Sequence, residues 1–340
     1  MTALAPHRIL IVRLGSMGDI VHALPVAATL KDNFPECEID WLVERRWSPL
    51  LAGHPALRHV LQIDTFALRK DLLSASTCTE VNAILSELKS RRYDFALDLQ
   101  GSIKSAMACS LSGSASIVGF DSPWLRELPA GLLYTKRVSP DAVHVVDANL
   151  ALAQSLGAAR PVTRFDLPLG NTDALPPELS HGRVAVLNPG AGWGSKCWSV
   201  EGYASVADAL ARDHDFRIVV NSGPGEENLA QQVLRACKTS HPLFFTGDIP
   251  ALLALLRRSS LVIGSDTGPV HIAAALGIPT IALFGPTNPA RNGPYGSNTR
   301  WLRSEHSLTS YSHSASPDES LLEIRPDAVL SLVREFFTSR

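Results

Sequence analysis

The sequence predicts an α/β fold built from two parallel-sheet domains, and three observations carry that prediction. Short apolar runs alternate with longer stretches of helical periodicity, the runs are apolar at consecutive positions, and the rhythm restarts after residue 183. Consecutive apolar residues mark strands covered on both faces, the condition of a parallel sheet flanked by helices.

In the first half, Ile9 to Val12, Ile39 to Val43, Val60 to Ile63 and Phe95 to Leu97 predict strands, with helices at 20–31, 79–91 and 102–111 between them. In the second, Val184 to Leu187, Ile218 to Val220, Leu243 to Phe245, Leu261 to Ile263 and Thr280 to Phe284 predict strands. Helices are expected there at 200–212, 226–237, 250–258 and 269–276. Residues 158–182 hold Pro161, Pro168, Pro176 and Pro177 with little periodicity, which sets domains at 1–160 and 183–325 about a linker at 161–182. A last helix, about 326–338, opens after Pro326 and carries Val329, Leu332, Val333, Phe336 and Phe337 on one face. It is expected to pack back on the N-terminal domain, while the Ser- and His-rich segment 304–320 reads as loop. Two such domains leave a cleft at the carboxyl ends of their strands, so chemistry is sought in the loops that follow strands.

The chain has 340 residues, 45% of them apolar, with 31 Lys plus Arg against 33 Asp plus Glu. That is enough apolar material for two cores, and a net charge of −2 lacks the basic excess of a sequence-independent nucleic-acid binder. The five cysteines, Cys37, Cys78, Cys109, Cys197 and Cys237, form no CxxC pair, so reduced thiols in a cytoplasmic protein and no metal site are expected. The N-terminus has no basic segment before its apolar run. The longest uncharged stretch, Thr267 to Ala290, is broken by glycines and prolines, so any membrane contact is expected to be peripheral.

Three loops can carry chemistry. The first, Arg13-Leu14-Gly15-Ser16-Met17-Gly18-Asp19, follows a strand and opens a helix; it is not the dinucleotide fingerprint, since GxGxxG is absent. Asp19 is either a helix N-terminal charge or a general base. The second, Asn188-Pro189-Gly190-Ala191-Gly192-Trp193-Gly194-Ser195-Lys196-Cys197, frees backbone amides and ends in a lysine suited to phosphate oxygens. It lacks the Gly-Lys-Ser/Thr order of a P-loop, and a flexible turn with a solvated lysine is the alternative. The third, Gly264-Ser265-Asp266-Thr267-Gly268-Pro269-Val270-His271, starts a helix with Pro269 in its first turn and reads as a diphosphate cradle. His271 faces the ligand or packs in the core.

Weaker candidates surround these loops. Glu226 and Glu227 follow a strand and either bind a ribose or are solvated; Asp98-Leu99-Gln100-Gly101-Ser102 touches an acceptor or caps the next helix. Arg69 and Lys70 form a cationic pair usable for an anionic acceptor, or a solvated one. Asp213-His214-Asp215 has the spacing of a metal-binding DxD but reads as a loop, because it precedes a strand.

At ILIVRLGSMGDIVHALPV, YDFALDLQGSIKSA, HVVDANLALAQSLG, NPGAGWGSKCWSVEGY and SDTGPVHIAAALGIPTIALFGPTNPARNGPYG the chain resembles the ADP-heptose lipopolysaccharide heptosyltransferases of glycosyltransferase family 9. The resemblance implies a GT-B fold, two Rossmann-like domains facing across a cleft. It also implies inverting transfer of heptose from ADP-heptose to a lipid-linked inner-core acceptor, without metal or other cofactor, at the cytoplasmic face of the inner membrane. By the same resemblance Asp19 is the general base and Lys196 the donor-phosphate lysine. Ala191, Gly192, Asp266, Thr267, Gly268 and His271 then line the nucleotide diphosphate, Glu226 takes the ribose with Glu227 as fallback, and Ile249 covers the base. Ser16, Met17, Gly18, Arg69, Lys70, Gln100 and Gly101 fall on the acceptor side. The chain departs from the family at Ala148, where Arg is common, and at Ala191 and Gly192, where hydroxyl side chains are common. A nucleotide-sugar epimerase of the same architecture and a non-catalytic nucleotide-sugar binder are the rival readings.

Overall fold

The computed structural model describes residues 5–65, 67, 75–310, 314 and 316–337. The chain divides into two compact units, Met1–Pro168 and Leu169–Arg340.

In the first unit six strands form one parallel sheet: β1 (Arg8–Val12), β2 (Glu38–Glu44), β3 (His59–Ile63), β4 (Phe95–Asp98), β5 (Ser116–Phe120) and β6 (Lys136–Val138). Their order is β3-β2-β1-β4-β5-β6. The central strand β1 has Ile9 to Val12 fully buried, as its unbroken apolar run requires. The connecting helices are α1 (Met17–Asn33), α2 (Ala75–Ser90), α3 (Ile103–Leu111) and α4 (Val145–Gln154).

The second unit repeats the plan with β7 (Arg183–Asn188), β8 (Phe216–Ser222), β9 (Leu243–Thr246), β10 (Leu261–Ser265), β11 (Thr280–Phe284) and β12 (Thr299–Arg303). Its order, β9-β8-β7-β10-β11-β12, matches the first sheet position for position. Helices α5 (Val200–His214), α6 (Glu227–Ala236), α7 (Ile249–Arg258), α8 (Gly268–Ala275) and α9 (Pro326–Phe337) complete it. In each sheet the order reverses beside the first strand, between β1 and β4 and between β7 and β10. The loops leaving those strands part to opposite faces and open a crevice at their carboxyl ends.

Among the strands and the helices of eight residues or more, four lie outside the sequence expectation: β5, β6, β12 and α4. Strands β6 and β12 are sheet edges, one three residues long and the other carrying Arg300 and Arg303, so neither shows a buried apolar run. In β5, Gly119 interrupts the run because a Cβ there would stand 2.3 Å from the Tyr134 ring. Helix α4 packs on α1, with Ala148 fully buried and Asn149 donating to the His22 carbonyl at 3.1 Å.

The terminal helix corrects an expectation. Val329 and Val333 of α9 are fully buried in the core that holds Tyr203, Leu210 and Ile281, and Phe337 meets Phe216 edge to face at 5.5 Å. The helix therefore packs on α5 and β11 of the second unit and not, as its apolar stripe is expected to, on the first. An apolar stripe demands a partner without naming it, and the chain leaving β12 is already anchored here, Trp198 Nε1 donating to the Ile324 carbonyl at 3.0 Å.

The segment read as a linker is held on both sides of the unit boundary. Thr29 and Val162 exchange hydrogen bonds, and Arg164 grips both oxygens of Asp32 at 3.0 Å. Beyond the boundary, Asn171 N donates to the Pro250 carbonyl at 2.8 Å.

His54 supplies a test of this packing. It is 4% exposed, its Nδ1 accepts from Ala56 N at 3.3 Å, and Nε2 is buried without a partner. Burial pushes its pKa from 6.5 down to about 4, against the pull of Asp166. Above pH 6.5 neither state binds the proton; between 6.5 and about 4 only the unfolded chain does, so stability is lost as the pH is lowered through that window. The loss by pH 4 is up to about 3 kcal/mol, and His54→Leu lacks that part of the slope in urea unfolding. Equal slopes for the two proteins would show that His54 does not act as a buried neutral group.

Candidate functional site

In the first unit the loops after β1 and β4 meet at the order reversal. Asp98, fully buried at the end of β4, accepts from Tyr134 hydroxyl at 2.7 Å, Ser105 hydroxyl at 2.9 Å, and the amides of Gln100 and Gly101 at 2.8 and 3.0 Å. Burial still raises its pKa against those donors. So anchored, the loop turns at Gly101, whose φ of 68° favours glycine. It also presents Gln100, which accepts from Leu14 N at 3.0 Å.

Asp19 lies three residues past Ser16, in the first turn of α1. Its Oδ2 accepts from Ser16 N and Ser16 hydroxyl at 2.9 and 3.0 Å, and its Oδ1 pairs with the Arg13 guanidinium at 2.6 Å. Arg13 is itself buried and donates to the Leu99 carbonyl, which fixes the cation in place. Burial alone would raise the Asp19 pKa; Arg13, Ser16 and more distant Arg126 bring it below the usual carboxylate value. A third of the side chain stays exposed, and its two oxygens have lone-pair sites beyond the three already used.

The second unit gathers its loops around one buried amide. Asn188, at the end of β7, donates through Nδ2 to the Gly190 carbonyl at 3.1 Å and to Thr267 Oγ1 at 3.2 Å, and its Oδ1 accepts from Asn221 Nδ2 at 2.6 Å. Tyr203 of α5 donates to the Asn188 carbonyl at 3.2 Å. One side chain thereby ties the ends of β7, β8 and β10 together.

Beside it Lys196 Nζ meets Asp266 Oδ2 at 2.5 Å and sits 4.4 Å above the centre of the Trp193 ring. His271 Nε2 lies 3.0 Å from the other Asp266 oxygen. Burial opposes the charge on Asp266, but His271 and Lys196 hold its pKa far below the usual value. Asp266 thus pairs with the cation and orients it. The first turn of α8 leaves the amides of Gly268 and Val270 without intrahelical partners, Pro269 having none.

Glu226 precedes α6, accepts from Gly223 N at 3.0 Å, and lies so close to Gly190 that a Cβ there would stand 1.9 Å from its Oε2. Burial raises its pKa, with a further push from Glu227. Among the described residues no group of three or more His, Cys, Asp or Glu side chains could hold a metal ion.

With this geometry in view, the sequence profile of glycosyltransferase family 9 (heptosyltransferase) matches residues 81–319. The chain belongs to that family. Lipopolysaccharide heptosyltransferase 1 of Escherichia coli K12 is 29% identical, over 95% of this chain and 98% of the relative. The core heptosyltransferase OpsX of Haemophilus influenzae is 28% identical, over 86% and 82%. The solved structure of E. coli heptosyltransferase WaaC with ADP superposes at a TM-score of 0.80, with 28% identity, across 96% of this chain and 99% of that one. The fold is accordingly GT-B, and the protein is a glycosyltransferase.

In this family 9 chain the structure groups Ser16, Met17, Gly18, Asp19, Gln100 and Gly101 at one sheet reversal, and Ala191, Gly192, Lys196, Asp266, Thr267, Gly268 and His271 at the other. Glu226 joins the second group through Gly190, whereas Glu227 is exposed and accepts from Gly225 N at 3.2 Å. Ile249 begins α7 on the carboxyl edge of the same sheet, two strands from β7. Arg69 and Lys70 lie outside the described residues. Asp213 pairs with exposed Arg212, and Asp215 closes α5 in a left-handed turn.

Sequence reasoning passed over Arg13, Asn188, Asn221, Trp193 and Tyr203 as organisers. For Arg13, Asn188 and Asn221 the signal is a polar residue ending an apolar strand: Arg13 after ILIV, Asn188 after VAVL, Asn221 after IVV. Asp266→Ala leaves the 12%-exposed Lys196 without its carboxylate and should lower unfolding free energy by about 3 kcal/mol in urea titration. A change under about 1 kcal/mol would mean that solvent already screens the pair.

Proposed function

We propose that the protein transfers heptose from ADP-heptose to a lipid-linked lipopolysaccharide inner-core acceptor, by a single inverting displacement that needs no metal. One observation carries this reading: a carboxylate whose pKa is lowered at the first reversal, Asp19, and a half-buried lysine beside a helix N-terminus at the second. Relatives over most of the chain are lipopolysaccharide heptosyltransferases, and WaaC has been solved with ADP-2-deoxy-2-fluoro heptose, which resembles this chain at a TM-score of 0.78 and 27% identity.

The chemistry runs as follows. An acceptor hydroxyl donates its proton to Asp19 while its oxygen attacks the anomeric carbon from the face opposite the diphosphate. The new glycosidic C–O bond forms as the bond to ADP breaks, and inversion follows from a single displacement. ADP departs with the bonding electrons; Lys196 and the amides of Gly268 and Val270 take up the charge on its diphosphate, the role a divalent cation would otherwise fill. Asp19 is a weak base because Arg13 and Ser16 stabilise its anion, so the proton moves late, once the attacking oxygen has become acidic. Glu226 takes ribose hydroxyls, with Ile249 against the base. The setting is peripheral, at the cytoplasmic face of the inner membrane.

Asp19→Asn keeps the shape of the side chain but cannot take the proton. With ADP-heptose and a deacylated core acceptor, its turnover should fall by at least about 100-fold while donor binding changes little. Turnover near wild type would remove Asp19 from the role. Turnover of the wild type should be unchanged in EDTA, and a mass shift of one heptose on the acceptor separates transfer from donor epimerisation or mere binding.

A further inference from the structure

The first unit carries an apolar surface that its core does not use. Helix α3 turns Ile103, Met107 and Leu111 outward, each at least 40% exposed, and their spacing of four makes one stripe along the helix. The turn Leu128–Leu133 packs beside α3, where Glu127 Oε2 accepts from Ile103 N at 2.8 Å, and adds Leu128 and Leu132 at 69% and 79% exposure. Among the described residues these five are half of the ten large apolar side chains that are exposed. Such clustering marks an interaction surface, whereas single exposed apolar residues do not.

Three exposed cations border it: Lys104 on the same helix, and Arg126 and Arg137 beside the turn, Arg137 Nε donating to the Gly131 carbonyl at 2.9 Å. Glu127 stands against them, so the patch is net positive in a chain whose overall charge is −2. Behind the stripe lies a cavity of about 420 Å³, walled by Leu14, Ile63, Leu85, Leu88, Met107 and Leu111. Leu14 belongs to the loop that leads to Asp19, which places the patch next to the acceptor side of the first unit.

We propose that this surface docks the first unit on an anionic phospholipid bilayer, with the aliphatic stripe in the acyl region and Lys104, Arg126 and Arg137 on lipid phosphates. The proposal rests on the lipid-linked acceptor of the proposed function and names where the lipid surface meets the protein. Cations ringing an aliphatic stripe complement a negative headgroup layer over hydrocarbon. The cavity adds room for the end of an acyl chain. A second copy of the chain is the poorer occupant, because a two-fold contact of the patch with itself would bring its cations together.

The test is sedimentation of the full chain with vesicles of phosphatidylglycerol and phosphatidylcholine. The double variant Met107→Asp, Leu111→Asp should lower the partition coefficient at least about tenfold, and Lys104→Glu with Arg137→Glu should flatten its salt dependence. Leu308→Asp, exposed in the second unit, should leave vesicle binding unchanged. All variants should glycosylate a deacylated, water-soluble acceptor within about threefold of wild type, which shows that the fold and the transfer are intact. Wild-type vesicle binding by the Met107/Leu111 variant overturns the docking surface. So does a dimer in sedimentation velocity that the same variant converts to monomer, since the face would then belong to a second copy. If wild type binds vesicles through this face yet never glycosylates the soluble acceptor, the docking stands and the transferase reading falls.

Discussion

A parallel strand cannot return to its neighbour without a crossover, and a sheet that grows first one way and then the other from its opening strand must part its loops at the point of reversal. Both units of this chain obey that constraint with the same strand order, and both place their polar side chains where it leaves an opening, after β1 and β4 and after β7 and β10. In that crevice main-chain amides and buried charges can face a ligand while the sheet beneath stays dry.

The two openings solve a similar electrostatic problem with opposite signs. At the first, a buried arginine lowers the pKa of a carboxylate; at the second, a buried carboxylate pairs with a lysine and aims it. In each the partner nearer the core is pinned by further hydrogen bonds, Arg13 by the Leu99 carbonyl and Asp266 by His271. Charges in such surroundings need that support, since removal from water costs each ion several kcal/mol unless geometry and hydrogen bonding repay it. The tethers Asp98–Tyr134 and Asn188–Asn221 do the complementary work, fixing the ends of β4 and β7 so that the glycine-bearing loops beyond them keep one shape.

Much of the architecture is legible in the sequence because it is local. A buried parallel strand must be apolar at consecutive positions and a helix on a sheet must repeat at 3.6 residues, so Ile9 to Val12 and Leu261 to Ile263 announce themselves. The loops are legible for the same reason: Gly-rich turns after such strands have few other uses, and Asp19, Lys196 and His271 stand in them. Edge strands β6 and β12 escape because one face and one edge are open to water, which removes the demand for an apolar run.

What the sequence alone determined was the twofold α/β plan and the residue types placed at the strand ends. Tertiary structure decided the rest: that α9 packs on α5, that Asp266 turns inward to Lys196, that Gly190 touches Glu226, and that Arg13 charges the surroundings of Asp19. Gly190 and Glu226 are 36 positions apart, Lys196 and Asp266 70, and Phe216 and Phe337 121, while Arg13 and Asp19 meet across a turn whose direction is set by other strands. Spacing in sequence encodes only which face of its own element a side chain occupies. Which charge or apolar surface stands opposite depends on strand order, and strand order is settled by the packing of the whole sheet.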